Sequence, residues 1–203
     1  MKRHLCKSLL AAAVLAAAGT AHAADGNAAT GEAIADRICA LCHGENGNNN
    51  DPQYPRLAGQ THAYISKQLR DFFARKREND KMLPYLARFK PTDIADLAAY
   101  YTRQPPEKIE EQDAKLAATG KALFREGHAA RGVPACMACH EAGATGDGRY
   151  PRLAAQHQDY TLLQLQRFAS GERHNDKGRV MRNVAARLTP EDMAALAEYL
   201  AAP

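Results

Sequence analysis

Cys39, Cys42 and His43 form a Cys-x-x-Cys-His stretch, and the same spacing returns at Cys136, Cys139 and His140. Two thiols three positions apart, with an imidazole directly after the second, suit covalent capture of haem. The sulfurs attach to the macrocycle and the adjacent histidine ligates the iron. A bare Cys-x-x-Cys also fits a redox dithiol or half of a zinc site. Cys6 is the only other cysteine and lies in a segment expected to be removed, so every cysteine of the mature chain falls in the two motifs. A thioredoxin-like disulfide would need a βαβ setting, and no strand pattern is present. The expectation is two covalently bound haem c groups, held by Cys39, Cys42 and His43 and by Cys136, Cys139 and His140.

The second axial ligand decides whether such an iron is closed or open. Beyond the N-terminal segment the methionines are Met82, Met137, Met181 and Met193. Met137 lies inside its own Cys-x-x-Cys and cannot reach the opposite face of that ring. Met193 sits on the apolar face of a regular helix and reads as core. Met82 and Met181 remain, each about forty residues after its histidine and at the equivalent place in the chain. His62, His128, His157 and His174 are the rival ligands. None has a counterpart in the other half, and they read as surface or propionate-side residues; His174, near Met181, is the strongest of them. Around this set, Pro55 and Pro151 offer carbonyls to the imidazole Nδ1–H. Arg56 and Arg152 suit propionates. Tyr64, Tyr160, Asn79 and Asn175 are candidates for hydrogen bonds near the haem or its methionine loop. Arg179 and Arg182 flank Met181 whereas Lys81 alone adjoins Met82, which favours a higher potential for the second haem.

The positioning elements come from an internal repeat. Tyr54-Pro55-Arg56-Leu57-Ala58-Gly59-Gln60 returns as Tyr150-Pro151-Arg152-Leu153-Ala154-Ala155-Gln156. The match continues through Tyr64/Tyr160, Gln68/Gln164, Phe72/Phe168, Arg77/Arg173 and Asn79/Asn175. The copies are 97 positions apart at the cysteines, 96 at the Tyr-Pro-Arg-Leu motif and 99 at the last helix, as loop insertions on a duplicated framework would give. The chain therefore divides into an N-terminal domain over 24–103, a linker over 104–112 opened by Gln104-Pro105-Pro106, and a C-terminal domain over 113–203. Each half has roughly 90 residues, small enough that a bound apolar group would make up for a marginal core.

The fold class is all-α. Ile65, Leu69, Phe72 and Phe73 recur at helical spacing, as do Ile94, Leu97, Ala98 and Tyr101, matched by Met193, Leu196, Ala197 and Leu200. Thr189, Pro190, Glu191 and Asp192 read as the start of the last helix. The first half has Lys90 in place of Thr189, which makes Thr92 the candidate cap there. Short helices are expected around 30–38 and 113–125. Gly31 and Gly120 lie inside them at matching positions, where glycine costs a helix ~1 kcal/mol, so a close crossing with the helix bearing Tyr100 or Tyr199 is expected.

Residues 1–23 read as an export signal, with cationic Lys2, Arg3 and Lys7, an apolar run over 9–18 and an Ala21-His22-Ala23 cleavage site. The run is shorter than the ~20 residues a membrane span needs. Removing it takes 27 basic residues to 24 against 23 acidic ones, so a formal charge of +4 becomes +1. That balance excludes nucleic acid as a partner class and leaves membrane association at most peripheral.

With the paired haem motifs, the repeated Tyr-Pro-Arg-Leu-Ala-x-Gln segments and the late methionines, the chain resembles the di-haem cytochrome c4 family over essentially its whole mature length. The resemblance implies two tandem class I cytochrome c domains facing each other across an approximate two-fold, with ligands His43 and Met82 at one iron and His140 and Met181 at the other. It implies an electron carrier of the bacterial periplasm, not an enzyme, with a cytochrome bc-type donor and a haem–copper oxidase acceptor. The di-haem subunit of a flavocytochrome c sulfide dehydrogenase is the alternative. One departure is internal: Met82 follows Asn79-Asp80-Lys81 closely, whereas Gly178, Arg179 and Val180 precede Met181.

Overall fold

The computed structural model describes residues 26–110 and 112–202; the expected signal over 1–23, with Cys6, lies outside the described residues. Among these residues the chain is helical, with one isolated bridge between His128 and Val133 and no strand. The first half carries α1 (Ala28–Ile38), α2 (Ala40–His43), α3 (His62–Phe73) and α4 (Ile94–Arg103). The second carries α5 (Ala114–Glu126), α6 (Met137–His140), α7 (Gln158–Ser170), α8 (Val180–Ala185) and α9 (Pro190–Ala201). Where the second half has α8, the first has a 3-10 turn, Leu83–Arg88.

In each half the first helix crosses the last, and the long middle helix packs on the last. Both expected close crossings are present. A Cβ on Gly31 would stand 2.0 Å from the Asp96 carbonyl oxygen, and one on Gly120 would stand 1.9 Å from that of Ala195. No side chain fits there, so the glycines bring backbone onto backbone and outweigh their own helix penalty. The crossing seals two separate cores. Ile34, Ile38, Phe72, Leu97 and Tyr101 anchor the first. Phe124, Leu188, Met193, Leu196 and Leu200 anchor the second, with Met193 buried as expected.

Side-chain caps fix where the helices begin. Asn27 Oδ1 accepts from the amides of Ala29 at 2.9 Å and Thr30 at 3.2 Å; Asp113 Oδ1 does the same for Lys115 at 3.0 Å and Leu116 at 2.9 Å. Thr189 caps α9 in a reciprocal box with Asp192, at 3.2 and 2.8 Å. The Thr92 expectation is corrected. Asp93 accepts from the Lys90 amide at 2.8 Å and the Thr92 hydroxyl merely turns to Asp93 at 3.3 Å, because a Pro91–Asp93 3-10 turn stands before α4.

The halves dock through reciprocal contacts. Gln60 Nε2 donates to the Arg152 carbonyl and its Oε1 accepts from the Arg152 amide, both at 2.9 Å. Gln156 repeats this on Arg56, at 3.0 and 2.9 Å. Arg77 donates to the Tyr160 hydroxyl at 2.9 Å, and Arg173 to that of Tyr64 at 2.8 Å. Such pairs are what an approximate two-fold between duplicated halves produces. The connecting segment is fastened along its length. Asn48 Nδ2 donates to the Pro105 carbonyl at 2.9 Å, Arg56 to that of Glu107 at 2.6 Å, and Ile109 N–H to that of Ala201 at 3.3 Å.

Candidate haem-binding sites

Each Cys-x-x-Cys-His stretch is one short helical turn, α2 or α6, entered from the preceding cysteine as N-cap and left through a residue at positive φ, Gly44 at 79° and Glu141 at 66°. The turn puts both sulfurs and the imidazole at positions i, i+3 and i+4, which lie on one face of a helical turn. The four cysteines are not disulfide-linked. Burial pushes the thiols of Cys39 and Cys136 up to about 11, which keeps them protonated.

The histidine rings are held as expected. His43 Nδ1 lies 2.8 Å from the Pro55 carbonyl and His140 Nδ1 lies 3.0 Å from that of Pro151. A carbonyl only accepts, so Nδ1 carries the proton and Nε2 keeps its lone pair for a metal. Burial holds both imidazoles below the ordinary histidine pKa, against the opposing pull of the proline carbonyls. Neutral histidine is the ligating form. Tyr54 and Tyr150 pack beside the rings, with centroids 6.4 and 5.9 Å away. Sequence reasoning missed this role, although both tyrosines open the repeated motif.

Whether these residues suit haem is tested by the walls beside them. Cys39, Leu57, Met82, Leu83 and Tyr85 are only partly buried against the first core. Cys136, Leu153, Leu162 and Leu165 are left in the same state at the second. The buried Tyr101 hydroxyl has no hydrogen-bond partner at normal distance and faces Cys39, and burial raises its pKa, with Cys39 adding to the rise. An apolar wall left half covered, an unpaired hydroxyl by the sulfur, two free thiols and a fixed neutral imidazole fit a large flat apolar ring attached through the cysteines. Among the described residues no three His, Cys, Asp or Glu side chains converge as a metal site, so the two Cys-x-x-Cys pairs do not complete one zinc tetrad.

Met82 precedes the Leu83–Arg88 turn, and its amide is held at 3.0 Å by both Oδ1 and the carbonyl of Asn79. Asn79 thus organises the methionine segment, as its position implied. Met181 is half-buried in the first turn of α8. Gly178 and Arg179 before it are left-handed, at φ 66° and 61°, so the extra residues of the second half build a turn that starts a helix. Arg182 is ion-paired with Asp176 at 2.6 Å, which compensates one of the two cations flanking Met181.

Other expectations change. His157 is not a surface residue: it is buried at the domain junction, its Nε2 lying 2.9 Å from Asn49 Oδ1. Tyr64 and Tyr160 also lie at that junction and take arginine donors there. Asn175 donates across it to Gln68 at 2.9 Å. The Arg56 guanidinium is engaged by the carbonyls of Asn49 and Glu107 and by Asn50 Oδ1, and Arg152 Nε by the Ala154 carbonyl. His174 is exposed, with Nδ1 3.1 Å from the Glu172 carbonyl, and His128 is exposed beside the bridge to Val133. His62 begins α3.

Comparison with known proteins agrees with this geometry. The Cytochrome c family model matches twice, over residues 28–103 and 117–202. Cytochrome c4 of Thiocapsa roseopersicina is 44% identical over 172 residues, covering 83% of this chain and 88% of that protein. The chain belongs to the cytochrome c4 family. Reduced recombinant cytochrome c4 from Pseudomonas stutzeri superposes with a TM-score of 0.83 at 36% identity, over 87% of this chain and 98% of that one. A protein of Thiomonas intermedia (strain K12) named as a thiosulfate dehydrogenase electron acceptor is 34% identical over 168 residues, 81% of this chain and 77% of that protein. As a cytochrome c4 the chain carries two covalently attached haem c groups in tandem cytochrome c domains and is a di-haem electron-transfer protein.

Proposed function

We propose that this cytochrome shuttles electrons in the periplasm from a cytochrome bc-type donor towards a terminal haem–copper oxidase. Its domains run over 24–103 and 113–203, joined by 104–112. Cys39, Cys42, Cys136 and Cys139 are the attachment residues, with His43 and Met82 as axial ligands in the first half and His140 and Met181 in the second. The observation that carries this reading is the same in both halves: an imidazole pinned through Nδ1 to a proline carbonyl, followed by one methionine between the middle and last helices. The bound iron supplies a one-electron Fe(III)/Fe(II) couple.

The protein's part is to hold that couple still. Pro55 and Pro151 keep the imidazoles in one tautomer and orientation. Asn79 and the Asp176–Arg182 pair fix the segments that present the two methionines. With His43 and Met82, and His140 and Met181, holding the two irons, no position would be left for substrate, so the reading is a carrier and not an enzyme. No helix among the described residues is long and apolar enough to cross a membrane.

Spectra of the oxidised protein test the ligand set: a thioether–iron band of two-haem intensity is expected, and the reduced protein should not bind CO. A missing band, or CO bound at either haem, overturns it. The Thiomonas intermedia relative favours a second reading of the partner, in which electrons arrive from a thiosulfate dehydrogenase. Reduction rates with such an enzyme plus thiosulfate, set against those with a cytochrome bc-type complex, separate the two. The relatives reported do not favour the flavocytochrome alternative.

A further inference from the structure

The two proximal sites differ in the loop that follows the histidine. Six residues after His43 stands Asn49, and six after His140 stands Gly146. The loops correspond as far as the fourth residue after the histidine, where Leu57 N–H donates to Gly47 as Leu153 N–H does to Ala144, each at 2.8 Å; beyond it the second loop is one residue shorter, its proline 11 and not 12 residues after the histidine. Asn49 is buried, and its Nδ2 donates at 3.2 Å to the Pro55 carbonyl, the same oxygen that accepts from His43 Nδ1 at 2.8 Å. Nδ2 also reaches the Tyr54 carbonyl at 3.2 Å. In the second half, among the described residues, the Pro151 carbonyl has the His140 ring but no such side-chain donor. Gly146 has φ +70°, and a Cβ there would stand 2.4 Å from the Tyr150 carbonyl oxygen, so the second loop cannot take an asparagine without moving.

The orientation of the Asn49 amide is set from the other domain. His157 Nε2 lies 2.9 Å from Asn49 Oδ1 and 3.1 Å from the Asn49 carbonyl. Both are acceptors, so Nε2 carries the proton and donates. The opposite amide orientation would face Oδ1 towards two carbonyl oxygens and Nδ2 towards an N–H.

We propose that Asn49 is a positioning residue that raises the reduction potential of the N-terminal haem alone, by placing a second donor on the Pro55 carbonyl that receives the His43 ring N–H. A carbonyl oxygen shared by two donors draws less on the ring proton. The imidazole then keeps less anionic character, and donates less electron density to ferric iron. The amide N–H also brings a partial positive charge near the His43 imidazole, which would disfavour the ferric charge. Both effects act in the same direction. Because His157 aims the amide, the proximal setting of one haem depends on docking of the other domain. This rests on His43 being the axial ligand.

The test is Asn49→Ala in the holoprotein, with haem-resolved NMR during a redox titration. The reduction equilibrium of the N-terminal haem should shift about threefold to tenfold towards ferric, where tenfold is ~59 mV for one electron. That of the C-terminal haem should move less than twofold. No shift, or an equal shift at both haems, overturns the proposal. Asn49→Asp keeps the shape and the acceptor for His157 while losing the donor; it should shift the same haem the same way, and gives the decision if the alanine variant does not assemble. A wild-type protein lacking imidazole ligation from His43 would defeat the underlying ligand assignment instead, and its NMR shows this independently of the variants.

Discussion

Gln156 holds the backbone of Arg56 from the opposite domain, its Oε1 accepting the Arg56 N–H at 2.9 Å and its Nε2 donating to the Arg56 carbonyl at 3.0 Å. Gln60 holds Arg152 the same way. An amide side chain paired to both polar groups of one residue acts like a short piece of strand. It sets the register of docking as well as its strength. These arginines directly follow the prolines that orient the haem histidines, so the docking clasp and the proximal hydrogen bond share one stretch of backbone.

Gln60→Ala and Gln156→Ala each remove two hydrogen bonds across the junction and leave a part-buried backbone pair unmatched. A loss of about 1–3 kcal/mol of docking is expected for each. Differential scanning calorimetry should show one unfolding transition separating into two, most clearly in the double variant. Unchanged, coincident unfolding in the double variant would show that the clasp does not couple the domains.

Gly31→Ala and Gly120→Ala place a Cβ 2.0 and 1.9 Å from a carbonyl oxygen of the crossing helix. Backbone must move, at a cost in the upper part of the about 1–3 kcal/mol typical of overpacking, which exceeds the ~1 kcal/mol gain in helix propensity. Each variant should lower the denaturant midpoint of its own domain. A stabilised variant would mean that the helices can separate freely.

Met82→His and Met181→His each replace a thioether with an imidazole at one iron. The potential of the altered haem alone should fall by a sizeable part of the ~0.8 V that axial ligands span, and the thioether band should halve. Potentiometry with domain-resolved spectra checks this. An intact band in either variant would remove that methionine from the ligand set.

Burial, reinforced by the Arg56 cation, holds His157 below the ordinary histidine pKa despite the Asn49 carbonyl and nearby Asp51 and Asp159. Folded protein thus keeps His157 neutral where the unfolded chain, titrating near 6.5, takes up a proton. Stability from this residue is fully present above pH ~6.5 and declines as pH falls from there to the folded pKa, below which it is flat. The difference in Tm between wild type and His157→Gln should therefore vary with pH between about 5 and 7.5, wild type losing ground as the solution becomes acidic. A constant difference would mean that His157 titrates alike in both states.

The sequence by itself determined the two Cys-x-x-Cys-His motifs, the duplication, the all-α class, the crossing glycines and the proline carbonyls that meet the histidine rings. These depend on short spacings and helical period, which the chain carries locally. Only the tertiary structure decided who faces whom between the copies. Tyr64 and Tyr160 repeat near the motif, and repetition alone does not say that they take arginine donors across the junction, from Arg173 and Arg77. His157 and Asn49 have no repeat partners and stand 108 positions apart, so their contact was invisible until docking brought them together. The Arg56 guanidinium went to carbonyls of the loop and linker for a related reason. Two of its three partners are backbone carbonyls, whose position is a property of the packed chain and not of residue type.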